Sequence, residues 1–318
     1  MTESMPRVCI SVINWNRPDL TLSCLASLAR LDYPNYRIIV VDNASRDDSV
    51  ERIQASCPDV EVIRSSTNLG FAGGHRLAKD LALKDNADLL WMLNNDAVAN
   101  ESTLTELVAA YQRMGDGIFG SMTLVPDDPT TIAFGGGQEL DEHGNRIYSL
   151  PYNYLDGQPY DPTLPDRQIE DVNGSSFMVP LSVVRQYGFM DESFFLYGEE
   201  TDYCYWLKQN GIPAIMVTKS TIVHLKRAST TGSPRLLALR AYYRARNDLY
   251  LLKRHFPAFY RKELRHRIRT RYVAWLRSVF LPGHRRRVSL DYHRFLGVRD
   301  AVLNRTGKTL DPDDFLDG

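Results

Sequence analysis

Four short stretches in the first hundred residues are rich in apolar residues, and a polar, helix-like stretch follows each of them. They are "RVCISVI" (7–13), "YRIIVV" (36–41), "VEVIRSS" (60–66) and "ADLLWML" (87–93). Their length predicts strands, and the lack of apolar–polar alternation predicts strands buried on both faces. Between them the period changes. Leu20, Cys24, Leu25 and Leu28 recur at helical spacing behind Asn16, a capping residue type, and Pro18, a first-turn proline. Ser45 with Asp48 three residues on predicts a second helix start through a capping box. A third helix should run from the turn "NLGFAGG" to about Lys84, and a fourth from about Ser102 to Met114. Strands alternating with helices at this spacing predict an α/β fold, a Rossmann-like, mostly parallel sheet with helices on both faces.

From about Val125 to Glu170 the pattern dissolves into Pro, Gly, Asp and Tyr, as expected of a lid or binding surface. Order returns with "DVNGSSFMVP", a short helix from about Leu181, the loop "FFLYG", a helix ending before Gly211 and a strand ending at His224.

Charge divides the chain. From Arg235 to Leu310 there are 20 lysines and arginines against four acids, whereas the whole chain carries a net charge of only −1. The expected organisation is therefore one domain over 1–234 and a basic helical region over 235–318. The basic region mixes arginine with aromatic and aliphatic residues, which suits an anionic membrane surface; packing on the acidic remainder or a homodimer contact suits it equally. It contains no nucleic-acid reader motif. Cys9, Cys24, Cys57 and Cys204 are far apart and lack metal-site spacing, so buried thiols are expected. The chain shows neither a signal pattern nor a spanning apolar run. The expectation is a cytoplasmic protein, peripheral at the inner face of the cell membrane.

In open α/β sheets the ligand lies outside the carboxyl ends of the strands. Asn14 and Asn16, Asp42 and Asn43, and Asn94, Asn95 and Asp96 all fall on that edge. One carboxylate between amides on a tight turn can hold Mg2+ or Mn2+ while substrate phosphates fill the remaining positions; the same residue types also serve plain turns. Asn68, Gly70 and Gly74 belong to a glycine turn that fits neither GxGxxG nor a P-loop, so phosphate cradling and close helix packing both remain open. Glu199, Glu200 and Asp202 open a helix, where its dipole favours carboxylates. The run Phe194–Gly198 before them places an apolar wall beside at least one, which suits a general base. His224 at a strand end is either a packing residue or part of a metal shell.

In this order and spacing, "SVINWNRPDLTLSCLASL", "IIVVDNASRDDSV", "NLGFAGGHR", "LLWMLNNDAV", "FFLYGEETDYCYWLKQNGI" and "IVHLKRAS" resemble the family-2 inverting glycosyltransferases of GT-A fold. The resemblance runs from about Arg7 to Thr231, and in detail it is to rhamnosyltransferase-like members that build surface polysaccharide. It makes 1–234 the nucleotide-sugar-binding and catalytic domain. It implies a nucleotide diphosphate sugar donor, dTDP-rhamnose or a UDP-sugar, and a hydroxyl of a glycan or lipid-linked acceptor. It implies that Asp42 holds the base, that Asn94 and Asn95 lie in the family's Asp-x-Asp motif with Asp96 as metal ligand, and that His224 helps bind metal or diphosphate. Asn14, Asn16, Asn68, Gly70, Gly74 and Arg76 would line the donor, with His75 and Arg76 standing where Gly-Asn-Asn is commoner. Glu200 occupies the position of the family's catalytic aspartate, with Glu199 and Asp202 as competitors. The implied reaction is a single in-line displacement with inversion. A catalytically silent nucleotide-sugar or glycan-binding module is the alternative of another class.

Overall fold

The computed structural model describes residues 5–138, 152–153, 155–225, 233–280 and 288–316. Part of the 125–170 excursion, the motif "IVHLKRAS" beyond Leu225 and the run "LPGHRRR" lie outside the described residues.

The first half alternates as the pattern predicts: β1 (Val8–Asn14), α1 (Pro18–Leu28), β2 (Tyr36–Asp42), α2 (Ser49–Ser56), β3 (Glu61–Arg64), α3 (Gly70–Lys84) and β4 (Leu89–Asn94). These strands lie parallel in the order β4-β1-β2-β3, so their carboxyl ends share one edge. Then follow β5 (Ala97–Ala99), α4 (Thr103–Met114), β6 (Ile118–Val125), β7 (Asp128–Phe134), β8 (Gly137–Gln138), β9 (Tyr152–Asn153) and β10 (Arg167–Ile169). The elements of the first 234 residues close with β11 (Ser176–Pro180), α5 (Leu181–Tyr187), α6 (Glu199–Gln209) and β12 (Ala214–His224). β11 inserts antiparallel between β4 and β6, and β12 lies parallel to β6 beyond it. The sheet is therefore mixed. That one reversal brings the residues before β11 to the carboxyl end of β4, beside the predicted ligand edge.

Both faces are covered. Leu25 and Leu28 of α1, Ile53 of α2 and Leu104 and Leu107 of α4 pack with Val12, Val40 and Trp91. Ala78 and Ala82 of α3, Val183 of α5 and Leu207 of α6 pack with Val41, Met92 and Met216 on the other face.

Two helix starts differ from expectation. Arg17, not Asn16, takes the cap position of α1, because Asn16 sits at φ 52° and its Oδ1 accepts the Arg46 N–H at 2.7 Å. α2 begins after Asp48. Ser45 caps nothing, since its Oγ accepts the Asn16 N–H at 2.9 Å and the Asn14 amide at 3.1 Å while its proton goes to Asp42 Oδ1.

The basic region forms α7 (Pro234–His255), α8 (Pro257–Phe280) and α9 (Val288–Val302). Leu249 and Leu252 of α7 pack on Val298 and Ala301 of α9. The two backbones come so close that a β-carbon on Gly297 would stand 2.3 Å from the Tyr242 carbonyl oxygen.

Candidate active site

The edge where β1, β2 and β4 end is built from amides and carboxylates that hold one another. Asn14 is fully buried; its Nδ2 donates to Asp42 Oδ1 at 2.9 Å and its Oδ1 accepts from Thr21. Asp42 also accepts from the Ser45 hydroxyl and, at Oδ2, from the Ser45 N–H at 3.1 Å. Asn43 donates to the Gly70 carbonyl and to Asn68 Oδ1, while its own Oδ1 accepts the Leu69 N–H. This fixes the start of α3. Asn14, Asn43 and Asn68 are therefore organisers of the edge, each spent largely on its neighbours.

The two glycines have different reasons. Gly70 lies at φ 72°, and a β-carbon there would fall 2.1 Å from the Phe195 carbonyl oxygen, an oxygen that accepts the Phe71 N–H at 2.9 Å. Close backbone approach requires glycine at that position. At Gly74 the neighbour is Ile13 Cδ1, 2.8 Å from an added β-carbon, so this glycine serves helix-on-sheet packing. His75 is fully buried with Nδ1 on the Ser11 hydroxyl at 2.7 Å, and burial drives its pKa down to about 3; it is a neutral core residue. Arg76 pairs with Glu192 at 2.7 Å and Asp80 at 3.3 Å, and these carboxylates occupy the guanidinium that the sequence assigned to the donor.

Asp96 follows β4. Its carboxylate is 2% exposed, and Oδ1 lies 2.9 Å from His224 Nε2 at the end of β12. The pairing of β12 with β5 sets this contact, through His224 opposite Ala97. Asn95 turns its amide to the Thr21 hydroxyl at 3.0 Å, whereas Asn94 lies part-exposed at the strand tip. Among the described residues no group of three or more His, Cys, Asp or Glu could hold a metal. Asp96 and His224 alone still fit one: two cis ligands about 2.1 Å from an octahedral ion are about 3 Å apart, and Mg2+ keeps most of its positions for water and phosphate.

Across the edge stands the start of α6. Residues 194–198 form an unusual loop: the Leu196 N–H bonds the Phe194 carbonyl at 2.8 Å around Phe195 at φ 65°, a strained γ-turn, and Tyr197 and Gly198 also have positive φ, 69° and 95°. Such strain persists only where the surroundings over-determine it. Here α7 does so. The fully buried Arg246 donates to the carbonyls of Phe194 and Gly307 and to the Thr309 hydroxyl at 2.7–2.8 Å. Beside it the Asn247 amide reaches the carbonyls of Phe194, Leu196 and Tyr197. Sequence reading missed both residues. Their signal was a charged and an amide side chain on the face of α7 that otherwise carries Tyr242, Tyr243, Leu249 and Leu252.

The three carboxylates of α6 part company. Asp202 is bound to Arg254 at 2.6 Å and His255 at 2.8 Å on the side facing α7. Glu199 is buried; burial and the neighbouring Glu200 carboxylate hold its pKa well above the usual range, and Oε2 has no hydrogen-bond partner. Glu200 is part-exposed and accepts the Gly198 N–H at 3.2 Å. Burial raises its pKa as well, opposed by backbone N–H groups and the charge of Arg244. A methyl group on Gly174 would stand 3.6 Å from Glu200 Oε1 and 3.4 Å from Phe71 Cζ. The next residue, Ser175, accepts the Asn94 N–H at 3.0 Å. The turn 173–175 thus runs beside the Glu200 carboxylate, with space for one further carbon between them, and bonds the tip of β4 at Asn94, a neighbourhood the sequence did not reveal. Behind it Asp171 accepts from the Thr201 hydroxyl at 2.9 Å, and burial raises its pKa to about 8.

The sequence profile described as glycosyl transferase family 2 matches residues 9–167, half of the chain. The low-salt glycan biosynthesis hexosyltransferase Agl10 of Haloferax volcanii is 27% identical over 186 residues, 55% of this chain and 54% of its own. Galactofuranosyltransferase GlfT1 of Mycobacterium tuberculosis is 32% identical over 139 residues, 42% of this chain and 44% of its own. This chain spans about half the length of the curated relatives it matches. Among solved structures, the mannosyltransferase PcManGT from Pyrobaculum calidifontis, in complex with GDP-Man and Mn2+, superposes with a TM-score of 0.57 over 95% of this chain and 89% of its own, at 14% identity. That likeness is one of fold.

Proposed function

The chain belongs to glycosyl transferase family 2 and has the GT-A fold, and from that premise we propose that it is an inverting, metal-dependent glycosyltransferase moving a hexose from a nucleoside diphosphate to a hydroxyl of a growing surface glycan. The observation that carries the proposal is the turn 173–175, which bonds Asn94 at the strand tip that leads to Asp96 and passes beside the Glu200 carboxylate. A metal-assisted diphosphate site and a base must face one bond for an in-line displacement, and this turn is the reason to read the two as one site.

Glu200 is the base. It accepts the proton of the acceptor hydroxyl as that oxygen bonds to the anomeric carbon; the diphosphate leaves from the opposite face with the electron pair, and the centre inverts. Burial and the Glu200 charge push the pKa of Glu199 up, which favours placing the negative charge of the pair on Glu200. Asp202, already bound by Arg254 and His255, drops out of contention. Asp42 uses about three of its four lone-pair sites on Asn14 and Ser45; the remaining one suits the ring N–H of a uracil or thymine. Asp96 and His224 would hold Mg2+ or Mn2+, which supplies charge neutralisation to the diphosphate when bound.

The curated relatives are named for hexosyl and galactofuranosyl transfer and the structural one was solved with GDP-Man, so the donor panel should include dTDP-rhamnose, UDP-hexoses and GDP-mannose. With Mn2+ present, one donor should raise the melting temperature and be slowly hydrolysed. Stabilisation without hydrolysis or transfer would instead favour a silent binding module.

We also assign the lipid side of the molecule to α8. Arg261, Lys262, Arg265, Arg269 and Arg277 are exposed along it, interspersed with exposed Ile268, Tyr272, Val273, Val279 and Phe280, while its one acid, Glu263, pairs with Arg267. Among the described residues no helix is long and apolar enough to cross a membrane. Exposed basic residues interleaved with exposed apolar ones suit the surface of an anionic bilayer. Flotation with phosphatidylglycerol vesicles should carry the protein upward, phosphatidylcholine vesicles should not, and Phe280→Glu should weaken the first. Equal recovery with both lipids, or with neither, would refute the assignment.

A further inference from the structure

α7 carries five arginines, and three are engaged: Arg235 with the Leu316 carbonyl, Arg246 with the 194–198 loop, and Arg254 with Asp191 and Asp202. Arg240 and Arg244 are different. One turn apart on the same helix face, they lay their guanidinium groups over one ring, Tyr197, at 5.8 and 5.5 Å from its centroid. Neither makes a hydrogen bond or a salt bridge among the described residues. The nearby acid Asp248 is already taken by Arg267 at 2.8 Å. Arg240 is half-buried, and both burial and the charge of Arg244 act against its own charge. Arginine does not relieve such a cost by losing a proton. A bound anion relieves it, and two forked guanidinium groups suit phosphate oxygens in particular.

The position of the pair says which anion. Tyr197 lies two residues before Glu199, and the charge of Arg244 reaches the Glu200 carboxylate. The donor's diphosphate belongs with Asp96 and His224, beyond the 173–175 turn. We propose that Arg240 and Arg244 form a phosphate-binding site for the acceptor, so that the hydroxyl presented to Glu200 belongs to a molecule carrying a phosphate or diphosphate ester. This deepens the transferase reading and rests on it.

Methylenediphosphonate, a diphosphate that cannot hydrolyse, is the probe, titrated calorimetrically against the full chain in EDTA so that the metal-dependent site is silent. Wild type should bind it. Arg240→Gln/Arg244→Gln should lose at least tenfold in affinity, Arg240→Lys/Arg244→Lys should recover part of the loss, and Asp96→Asn should be unchanged. UDP with Mn2+ should behave inversely, weakened by Asp96→Asn and indifferent to the arginines. Absence of metal-independent binding, or weaker UDP binding in the glutamine variant, would overturn the acceptor site. Loss of flotation on phosphatidylglycerol vesicles in that variant would reassign the pair to lipid headgroups, which also overturns it. Failure of every nucleotide to bind wild type would instead bring down the transferase reading, and the acceptor assignment with it.

Discussion

Several side chains that look like ligands in the sequence are structural, and the reason is competition for hydrogen bonds. Asn14 and Asn68 were legible as polar residues at strand ends and turns, but what an amide binds depends on tertiary neighbours, here Asp42, Thr21, Asn43 and the Gly70 N–H. Asp96 and His224 were each legible, yet the contact between positions 128 apart is created by strand pairing. Asp171 was not legible at all, since only burial gives it character. Its pKa of about 8 in the fold compares with 3.8 ordinarily. Between those values the unfolded chain has released this proton while the native protein keeps it, so Asp171 makes stability fall as pH rises from about 4 to about 8. Urea denaturation of Asp171→Asn should show a shallower fall over that window than wild type. Parallel curves would mean that the carboxyl is ionised in the native protein.

At the scale of elements, the alternation of strands and helices was readable through α4 because periodicity reports burial directly. β11 was not, because nothing in "SSFMVP" says whether a buried strand runs parallel or antiparallel. One helix start was misread where neighbouring donors, the Asn16 N–H and the Asn14 amide, took the oxygen of Ser45. The loop 194–198 and the middle of α7 act as one unit: a strained backbone and the side chains, Arg246 and Asn247, that hold it. Asn247→Ala removes the amide donor of the Leu196 and Tyr197 carbonyls, while the Phe194 carbonyl keeps Arg246 and the Leu196 N–H, and each buried acceptor left unsatisfied costs about 1–3 kcal/mol. A loss of about 2–4 kcal/mol is expected, together with a lower kcat and little change in donor affinity. An unaltered kcat in the folded variant would show that the loop positions Glu200 without α7.

For the whole molecule, the charge imbalance marked 235–318 as distinct, but charge alone could not say how it joins the rest. The connection is a buried node: Arg246 ties α7 to the Phe194 carbonyl and to Gly307 and Thr309 near the end of the chain. The basic region thereby belongs to the architecture of the site as well as presenting α8 outward. The most direct test of the account is transfer and donor affinity measured together on Glu200→Gln, a substitution that keeps the shape of the side chain and removes its basicity. Donor affinity should stay within about twofold while turnover falls by about 10²–10⁴; turnover equal to wild type would contradict the assignment of Glu200 and the reading of the site as a whole.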